Sequence, residues 1–330
     1  MQILVTGATG LLGNNVVRRL LERGDDVRVL VRPTADRRPL ERLEVARVEG
    51  DITDGDSVEQ SLRGVDAVVH CAGRVQIGWS CAAAFTRVNV EGTRHIARAA
   101  LRRGIRMLHV STINTLGVGR KNRAADEDWA DPNIVPCPYV VSKRAAESAV
   151  RELIEQGLDA VIVYPGFMLG PWDWKPSSGQ MVLQVARRWT PMAPTGGVSV
   201  CDVRDVTEGV LAALDRGRPG DRFVLAGENL RYWHLWKMIA EITGGGRPWF
   251  PAGPIQRIIG GAFGDLWGKW TGTEPEVNSA AVKMASQLHF FSSERARQEL
   301  GYQSRPARES IADAWNWFMA HGYADRARMA

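Results

Sequence analysis

The chain has 330 residues, 45% hydrophobic and 24% charged, a balance typical of a globular protein that buries a sizeable core. Its formal charge is +5, but no run of five like charges and no interleaved aromatic-basic stretch occurs, so nucleic-acid binding is disfavoured. A modest basic excess is at least as consistent with an anionic small-molecule ligand as with nucleic acid. Four cysteines without metal-ligand spacing predict free thiols, a reducing compartment and no metal: Cys71, Cys81, Cys137 and Cys201.

The N-terminal stretch MQILVTGATGLLG lacks the basic start, long apolar run and cleavage site of a signal peptide. The apolar stretches fall short of the roughly 20 residues that span a bilayer. We therefore expect a cytoplasmic protein without stable membrane insertion. The segment 255–270, IQRIIGGAFGDLWGKW, mixes apolar and aromatic residues with few charges. We interpret it as a substrate-pocket lid or core segment, with contact to lipid as the alternative.

Short β-branched runs alternate with helical periodicity over the first two-thirds of the chain. QILVT (2–6) is followed by a helical pattern that ends at Gly24. Five further strands are predicted at 26–31, 46–51, 66–73, 106–112 and 159–166, with helices between them. Strands that alternate with helices in this way predict an α/β fold with a Rossmann-type, doubly wound parallel sheet.

The pattern changes after Gly166, where loops rich in proline and tryptophan replace the regular alternation. From Asn229 onward the sequence is mainly helical in pattern and holds seven of the 12 tryptophans. We predict a dinucleotide-binding domain over 1–166, with 199–227 rejoining its sheet. Residues 167–198 and 228–330 are predicted to form a smaller, mostly helical substrate domain.

The glycine-rich stretch TGATGLLG (6–13) follows the first predicted strand and opens the first helix. Gly7 allows a tight turn, Gly10 lets the backbone approach a pyrophosphate, and Gly13 lets the helix pack closely on the strand. The N-terminus of the helix then faces the phosphates. This context predicts a dinucleotide site.

The end of the second strand indicates which dinucleotide is bound. Arg32 stands where NAD-binding proteins usually place a carboxylate, and Arg37 and Arg38 follow it. Because guanidinium groups pair with phosphate, NADP(H) is favoured. NAD(H) remains possible if Arg32 stacks on adenine or is solvated. Asp51 and Ile52 end the third strand near the expected adenine position, where Asp51 binds the adenine amine or caps a turn.

PYVVSK (138–143) places Tyr139 and Lys143 four residues apart on a predicted helix, so their side chains are neighbours. Taken alone, this spacing is also explained by a surface helix. We expect Val140 and Val141 to face the packing side.

Several motifs occur together in one order and spacing: TGATGLLG (6–13), GDITD (50–54), HCAG (70–73), NVEGT (89–93), VST (110–112), YVVSK (139–143) and YPGFMLGP (164–171). In this combination the chain resembles the extended short-chain dehydrogenase/reductase family, also described as the NAD-dependent epimerase/dehydratase family, over about residues 1–230. It is most similar to the dihydroflavonol 4-reductase-like branch, which includes 3β-hydroxysteroid dehydrogenase-type enzymes and hopanoid-associated sugar epimerases.

The resemblance implies that Tyr139 is the general acid/base and that Lys143 lowers its pKa and binds the nicotinamide ribose. A free phenol, with a pKa near 10, is a poor base at neutral pH, and a nearby cation stabilises phenolate. Thr112 stands at the family's Ser/Thr position, with Ser111 as the reserve, and Asn89 has a structural or a catalytic role. The implied cofactor-binding residues are Gly7, Thr9, Gly10, Leu11, Leu12, Gly13, Arg32, Asp51, Ile52, Cys71, Ala72, Gly73, Asn89, Tyr139, Lys143, Pro165 and Gly166.

The resemblance leaves two enzymatic interpretations and one other. Ile113 and Asn114 replace the Asp-Glu pair of the family's sugar dehydratases, so dehydration is not expected. A reductase or dehydrogenase acting on a secondary alcohol or ketone is preferred, because epimerases of the family typically retain NAD. Arg187, Arg188, Arg231 and Arg257 keep a nucleotide-sugar epimerase open, and a non-catalytic NADP-binding sensor or scaffold is the third interpretation.

The expected partners are a small-molecule substrate and a second copy of the chain. Tryptophan-rich stretches at 172–174, 231–236 and 315–318 suggest an apolar or planar substrate, unless most of these side chains lie in the core. Homodimers are usual in the family, and the predicted helices 89–104 and 139–156 could form the interface.

Overall fold

The computed structural model describes residues 1–119, 123–129 and 133–324. The strands are β1 (Gln2–Thr6), β2 (Asp26–Val31), β3 (Ala46–Glu49), β4 (Ala67–His70), β5 (Arg106–Val110), β6 (Ala160–Pro165), β7 (Phe167–Leu169), β8 (Met192–Ala193), β9 (Gly197–Asp202), β10 (Arg222–Leu225), β11 (Glu228–Arg231), β12 (Phe250–Pro251) and β13 (Leu288–His289). The α-helices are α1 (Leu11–Glu22), α2 (Gly55–Ser61), α3 (Ala82–Phe85), α4 (Gly92–Arg103), α5 (Pro138–Glu155), α6 (Gly179–Arg187), α7 (Val203–Arg216), α8 (Tyr232–Thr243), α9 (Pro254–Thr271), α10 (Ser279–Met284), α11 (Glu294–Leu300) and α12 (Ala307–Ala320).

Seven parallel strands form the main sheet in the order β10-β6-β5-β4-β1-β2-β3. All six strands predicted from the first 166 residues are present in it. The strand order reverses between β1 and β4, and ligands of such sheets bind in the crevice at the carboxyl ends of the strands beside this reversal. The predicted Rossmann-type doubly wound fold is confirmed.

Helices cover both faces of the main sheet because its strands bury side chains on both sides. On β1, Ile3 and Val5 point into one core layer, together with α1 and α7. Leu4 points the opposite way, into a layer formed with α2, α4 and α5. Strands buried on both faces read as continuous apolar runs, which explains the pattern of QILVT.

A second sheet lies beside the first and carries the mainly helical part of the chain. In it β9 pairs with β7 and β13 in parallel and with β11 in an antiparallel arrangement. Helices α6, α8 and α12 share an apolar core with this sheet. The expectation that the strand beginning near Ser199 rejoins the main sheet is therefore wrong for β9, and only β10 returns to it. A strand pattern gives no information about its partner, and the short β7 offers β9 a nearer edge.

Three of the backbone crossings between the two sheets lie side by side. β6 runs into β7 through Gly166, β9 runs into α7 at Asp202, and β10 reaches β11 through residues 226 and 227. The Gly166 amide donates a 3.0 Å hydrogen bond to the Leu225 carbonyl. A Cβ at Gly166 would lie 2.7 Å from the Ser199 carbonyl oxygen, so the close approach of the strands requires glycine there.

Among the helices of the described residues, none combines the length and apolar character needed to cross a bilayer. The segment 255–270 lies within α9 (Pro254–Thr271).

Candidate active site

The glycine loop forms a tight cradle at the carboxyl end of β1. Gly7 has a φ of +72°, and a Cβ there would lie 2.7 Å from the Ala72 amide nitrogen. A Cβ at Gly13 would overlap the Gly7 carbonyl oxygen. α1 begins at Leu11 after Gly10, and within the described chain no side chain caps its first amides. A turn packed this closely, with uncapped amides at a helix N-terminus, fits the pyrophosphate of a dinucleotide.

The other loop residues contribute mainly backbone to this cradle. Leu12 is buried in the core layer beneath α1, and Leu11 packs against the same layer. Thr9 is half-buried at the turn. Their side chains stabilise the loop from below, which leaves the amide groups to face a ligand.

A buried hydrogen-bond chain that the sequence did not reveal supports the loop. Thr6 Oγ1 lies 2.7 Å from His70 Nδ1, and His70 Nε2 lies 3.0 Å from Thr93 Oγ1. The Ala72 amide donates to Thr6 Oγ1 at 3.2 Å. Burial lowers the pKa of His70 to about 3, so its ring is neutral at physiological pH. This chain fixes the ends of β1 and β4 relative to α4.

Arg32 lies exposed just beyond β2, as does Arg37 further along the loop, and no other described residue forms a hydrogen bond or ion pair with either guanidinium. Arg38 differs, because its Nη2 lies 2.6 Å from Asp36 Oδ2. Two of the three arginines proposed for the 2′ position are thus available to a ligand.

Asp51 makes the contacts of a turn. Its Oδ1 accepts hydrogen bonds from the Thr53 amide at 2.9 Å and the Thr53 hydroxyl at 3.0 Å. Ile52 is buried beneath Gly92, and its carbonyl oxygen lies 3.1 Å from His95 Nδ1. These contacts favour the turn-capping interpretation of Asp51, while Ile52 anchors the adenine-side loop to α4.

Asn89 connects the loop after β4 with α5. It lies fully buried in a π-helical turn (Thr86–Glu91) between α3 and α4. Its Oδ1 accepts from the Arg74 amide at 2.7 Å, and its Nδ2 donates to the Arg74 carbonyl at 3.1 Å and to Ser142 Oγ at 2.9 Å. These hydrogen bonds support a structural role for Asn89.

The loop after β4 continues from Cys71 through Ala72 and Gly73. Burial raises the pKa of the Cys71 thiol to about 12, so this thiol is neutral.

Tyr139 and Lys143 lie in the first turns of α5, which begins at Pro138. Both side chains are buried, with only 6% and 7% of their surfaces exposed. Lys143 Nζ donates a 2.6 Å hydrogen bond to the carbonyl oxygen of Val110, the last residue of β5. Burial lowers the pKa of Lys143 to about 8, although Cys71 and Glu147 oppose the shift. At neutral pH the buried lysine is therefore still mostly protonated.

The Tyr139 phenol is neutral in this environment, because burial raises its pKa and a side-chain hydrogen bond with Thr112 only partly offsets the shift. Thr112 adopts an extended backbone just after β5, and its Oγ1 also accepts from the Asn114 amide at 3.3 Å. The structure therefore brings Thr112, Tyr139 and Lys143 together at the carboxyl end of β5.

The Ser111 hydroxyl binds a different partner from the Thr112 hydroxyl. Ser111 Oγ donates to Glu147 Oε2 at 3.2 Å. Glu147 is a buried carboxylate that sequence reasoning missed, and it also accepts from Tyr164 Oη at 2.7 Å and from Arg151 Nη2 at 2.9 Å. Its position four residues after Lys143, on the same face of α5, is the sequence feature that could have identified it. Glu147 holds Ser111 away from the candidate site.

An apolar cluster surrounds the Tyr139 ring. Phe85 lies edge-on to it, with 6.5 Å between ring centroids, and Val135, Cys137 and Ala280 complete the buried part. Ile77, Ile134 and Met284 pack at the margin of this cluster.

One further expectation needs correction, and one alternative that the sequence left open is decided. Val140 is buried as expected, but Val141 is 50% exposed, because one residue more along a helix rotates the side chain by about 100°. The tryptophans of the 172–174 and 315–318 stretches pack into the core around β9, so for them the core interpretation holds.

Pro165 and Gly166 lie at the crossing between the sheets. Of the proposed diphosphate ligands, Arg187 contacts the Tyr323 carbonyl and Arg231 donates to the Thr195 carbonyl. The side chain of Arg257 lies outside the described part of the chain.

Comparison with known proteins decides the family. A family profile described as the NAD dependent epimerase/dehydratase family matches residues 3–226. The chain belongs to this family. It is an NAD(P)-dependent dehydrogenase, reductase or epimerase of the extended short-chain dehydrogenase/reductase type, and its cofactor is a nicotinamide dinucleotide. The predictions of family and of an enzyme are confirmed, which disfavours the non-catalytic sensor or scaffold.

Two relatives and one crystal structure match almost the entire chain. A Synechocystis sp. protein, provisionally named a dihydroflavonol 4-reductase, is 35% identical over 97% of this chain and 95% of its own. Sterol demethylase protein B of Methylococcus capsulatus is 33% identical over 98% and 99%. The crystal structure of gox2253 is 36% identical, with a TM-score of 0.85 over 98% of this chain and 99% of its own.

Proposed function

We propose that this enzyme is an NADP(H)-dependent reductase that interconverts a ketone and a secondary alcohol on a small apolar or planar substrate. The observation that carries the proposal is the buried cluster of Thr112, Tyr139 and Lys143 at the carboxyl end of β5, beside the glycine loop. When bound, the nicotinamide exchanges a hydride with the substrate carbon. The protein must then supply or accept a proton at the substrate oxygen.

Tyr139 is the proposed proton donor in reduction and the acceptor in oxidation. Its raised pKa keeps the phenol protonated at neutral pH, which suits donation to a developing alkoxide. Loss of that proton leaves a buried phenolate, and the positive charge of Lys143 one helical turn away stabilises it. Thr112 is proposed to hold the substrate oxygen by a hydrogen bond, which orients the carbonyl towards Tyr139.

The proposed preference for NADP(H) rests on Arg32 and Arg37. Both guanidinium groups lie at the end of β2 without a protein carboxylate bound to them among the described residues. A 2′-phosphate at this position would supply the missing anion, and arginine can bind it through two hydrogen bonds.

The proposed substrate class follows from the apolar cluster around Tyr139. Aromatic and aliphatic side chains, such as Phe85 and Met284, favour a substrate with little charge near the reacting carbon. The names of the two relatives point to ring systems of this kind, a dihydroflavonol and a sterol.

Replacement of Tyr139 by phenylalanine tests the proposal. With NADPH and an apolar bicyclic ketone such as decalone, we expect kcat/KM to fall by about 10²–10⁴-fold. Tyr302→Phe is the matched control, because this buried hydroxyl has no hydrogen-bond partner among the described residues and lies in the core layer under α7. Turnover by Tyr139→Phe equal to that of the control would exclude the proposed role.

A nucleotide-sugar epimerase with a retained cofactor is the second candidate, since the matched family includes epimerases. The two candidates differ in how they hold the dinucleotide. Ultraviolet absorbance and mass spectrometry of the denatured, freshly purified protein would detect NAD at about one equivalent in an epimerase. The reductase is expected to purify largely free of NAD and to bind NADPH reversibly.

A further inference from the structure

Helix α9 exposes its large apolar side chains to solvent, whereas a surface helix is expected to pack them against the protein. Seven large apolar side chains are between 47% and 79% exposed: Ile255, Ile258, Ile259, Phe263, Leu266, Trp267 and Trp270. Helices on globular proteins normally turn such residues inward and expose polar ones. Here one side of an entire 18-residue helix is apolar and open.

Glycines form the inward face of α9. A Cβ at Gly261 would lie 3.1 Å from Ser279 Cα, one at Gly268 would lie 2.9 Å from Pro275 Cδ, and one at Gly264 would overlap the Val277 carbonyl oxygen. The helix cannot rotate to bury its large side chains without losing this close backbone packing. Small residues on the packed face and large ones on the open face are typical of helices that contact lipid.

Few charged side chains lie near the open face of α9. Asp265 turns inward and accepts a 2.9 Å hydrogen bond from the Ser279 amide, whereas Lys269 is exposed. Beyond the helix, Glu274 accepts from the Ser80 amide at 2.9 Å and Glu276 contacts the Gln184 side chain. The nearby carboxylates therefore bind uncharged protein groups, and the open face of α9 is mainly apolar.

Exposed tryptophans extend the apolar face, and tryptophan is a residue type enriched at membrane–water interfaces. Trp270 lies near the C-terminus of α9, and Trp249 lies just before its N-terminus with 68% of its surface exposed. Phe250 continues the apolar surface between Trp249 and the helix.

The α9 face is continuous with the candidate active site. α10 packs against α9 and contributes Ala280 and Met284 to the apolar cluster around Tyr139. The preceding segment is tied to the loop after β4, because Asn278 Nδ2 donates to the Ile77 carbonyl at 2.9 Å. A surface bound by α9 would therefore lie next to the apolar cluster around Tyr139.

We propose that α9 docks the enzyme on the surface of a phospholipid bilayer. The helix lies in the interface with its apolar face among the acyl chains, while its glycine face remains on the protein. This position gives the site access to an apolar substrate dissolved in the bilayer. That access rests on the proposed function, whereas the docking itself does not.

Vesicle flotation tests the docking, with the full-length protein and without cofactor or substrate. Wild type is expected to float with vesicles of phosphatidylcholine, either alone or with one-third phosphatidylglycerol. Ile258→Ser/Trp270→Ser is expected to lower the partition coefficient by at least about tenfold, because binding scales with buried apolar area. Val75→Ser, which changes an exposed aliphatic residue on another segment, is the matched control and should float like wild type.

Three outcomes would overturn the docking. Wild type stays in the dense fraction with both vesicle types, or the α9 double variant floats as well as the control. Alternatively, size-exclusion chromatography finds a dimer that the double variant converts to monomers while neither protein floats, so that a second copy covers the face. Tyr139→Phe should float like wild type, which separates failure of the docking from failure of the proposed reaction.

Discussion

The ammonium group of Lys143 donates a 2.6 Å hydrogen bond to the carbonyl oxygen of Val110, so a buried charge is held directly beneath the end of β5. Burial lowers its pKa to about 8. We predict that kcat/KM for ketone reduction is constant near neutral pH and falls above about pH 8, since neutral Lys143 no longer stabilises phenolate at Tyr139. The pH–rate profile of the free enzyme measures this pKa.

Lys143→Arg provides the control for that assignment. Arginine keeps its charge to a pKa above about 12, so the alkaline fall should move to higher pH even though the absolute rate is lower. An unchanged alkaline pKa in this variant would assign the titration to another group.

Thr112→Ala and Ser111→Ala should separate catalysis from stability. Thr112 lies beside Tyr139 and is proposed to hold the substrate oxygen, so its loss is expected to lower kcat/KM by about 10²-fold. Ser111 bonds Glu147, so its loss should reduce the free energy of unfolding by about 1–3 kcal/mol with little change in kcat/KM. Steady-state kinetics and urea denaturation of both variants measure the two effects. The reverse pattern would make Ser111 the substrate-binding hydroxyl.

Arg32→Ala/Arg37→Ala should weaken NADPH binding by about tenfold or more and leave NADH binding nearly unchanged, because only NADPH carries the 2′-phosphate. Fluorescence titration of both cofactors measures the difference. Arg38→Ala is the control, since Asp36 already pairs with that guanidinium, and a smaller effect is expected. Equal NADPH affinity of the double variant and wild type would contradict the preference.

His109→Leu should make the protein less sensitive to acid. His109 is fully buried, stacks on His70 at 5.7 Å, and has no hydrogen-bond partner for either ring nitrogen among the described residues. Burial lowers its pKa well below the ordinary 6.5. The unfolded chain therefore binds more protons than the folded one below about pH 6.5, so this histidine removes stability as the pH falls.

Urea denaturation at several acidic pH values measures that contribution. The slope of unfolding free energy against pH should decrease by up to about 1.4 kcal/mol per pH unit in His109→Leu. His70→Leu is the comparison, because it also removes a titrating ring but loses the bonds to Thr6 and Thr93, and it should be less stable at neutral pH. An unchanged slope in His109→Leu would mean that this ring does not titrate in the transition.

The chain is predicted to form a homodimer through α4 and α5. Val141 on α5 is an apolar residue left half exposed, and burial of such side chains stabilises an interface. Val141→Glu should convert the dimer to a monomer in analytical ultracentrifugation, and Val75→Glu should not. A monomeric wild type would contradict the prediction.

The sequence predicted the first sheet well because most of its strands have a local apolar pattern with a glycine or helix signal beside it; the exposed β3 is the exception. The sequence also predicted the strand near Ser199 but assigned β9 to the wrong sheet, since the partner of a strand depends on edges formed far away in the chain, here β7 after Gly166. The choice between Ser111 and Thr112 likewise depended on Glu147, a buried carboxylate whose partners come from three elements.

The sequence also did not reveal which face of α9 packs against the protein. Its apolar residues predicted burial or a lid, whereas Gly261, Gly264 and Gly268 make the close contacts. Periodicity alone cannot indicate which of two non-polar faces meets the protein.

The three neighbouring backbone crossings at Gly166, Asp202 and Gly227 are joined by two more on either side of α11, which packs in the main-sheet core between β13 and α12. The second sheet is therefore tied to the first at several points along the chain. α10 adds a further contact, because Ala280 and Met284 belong to the apolar cluster around Tyr139. An enzyme built in this way keeps the wall that α10 contributes at a constant distance from its proposed proton donor.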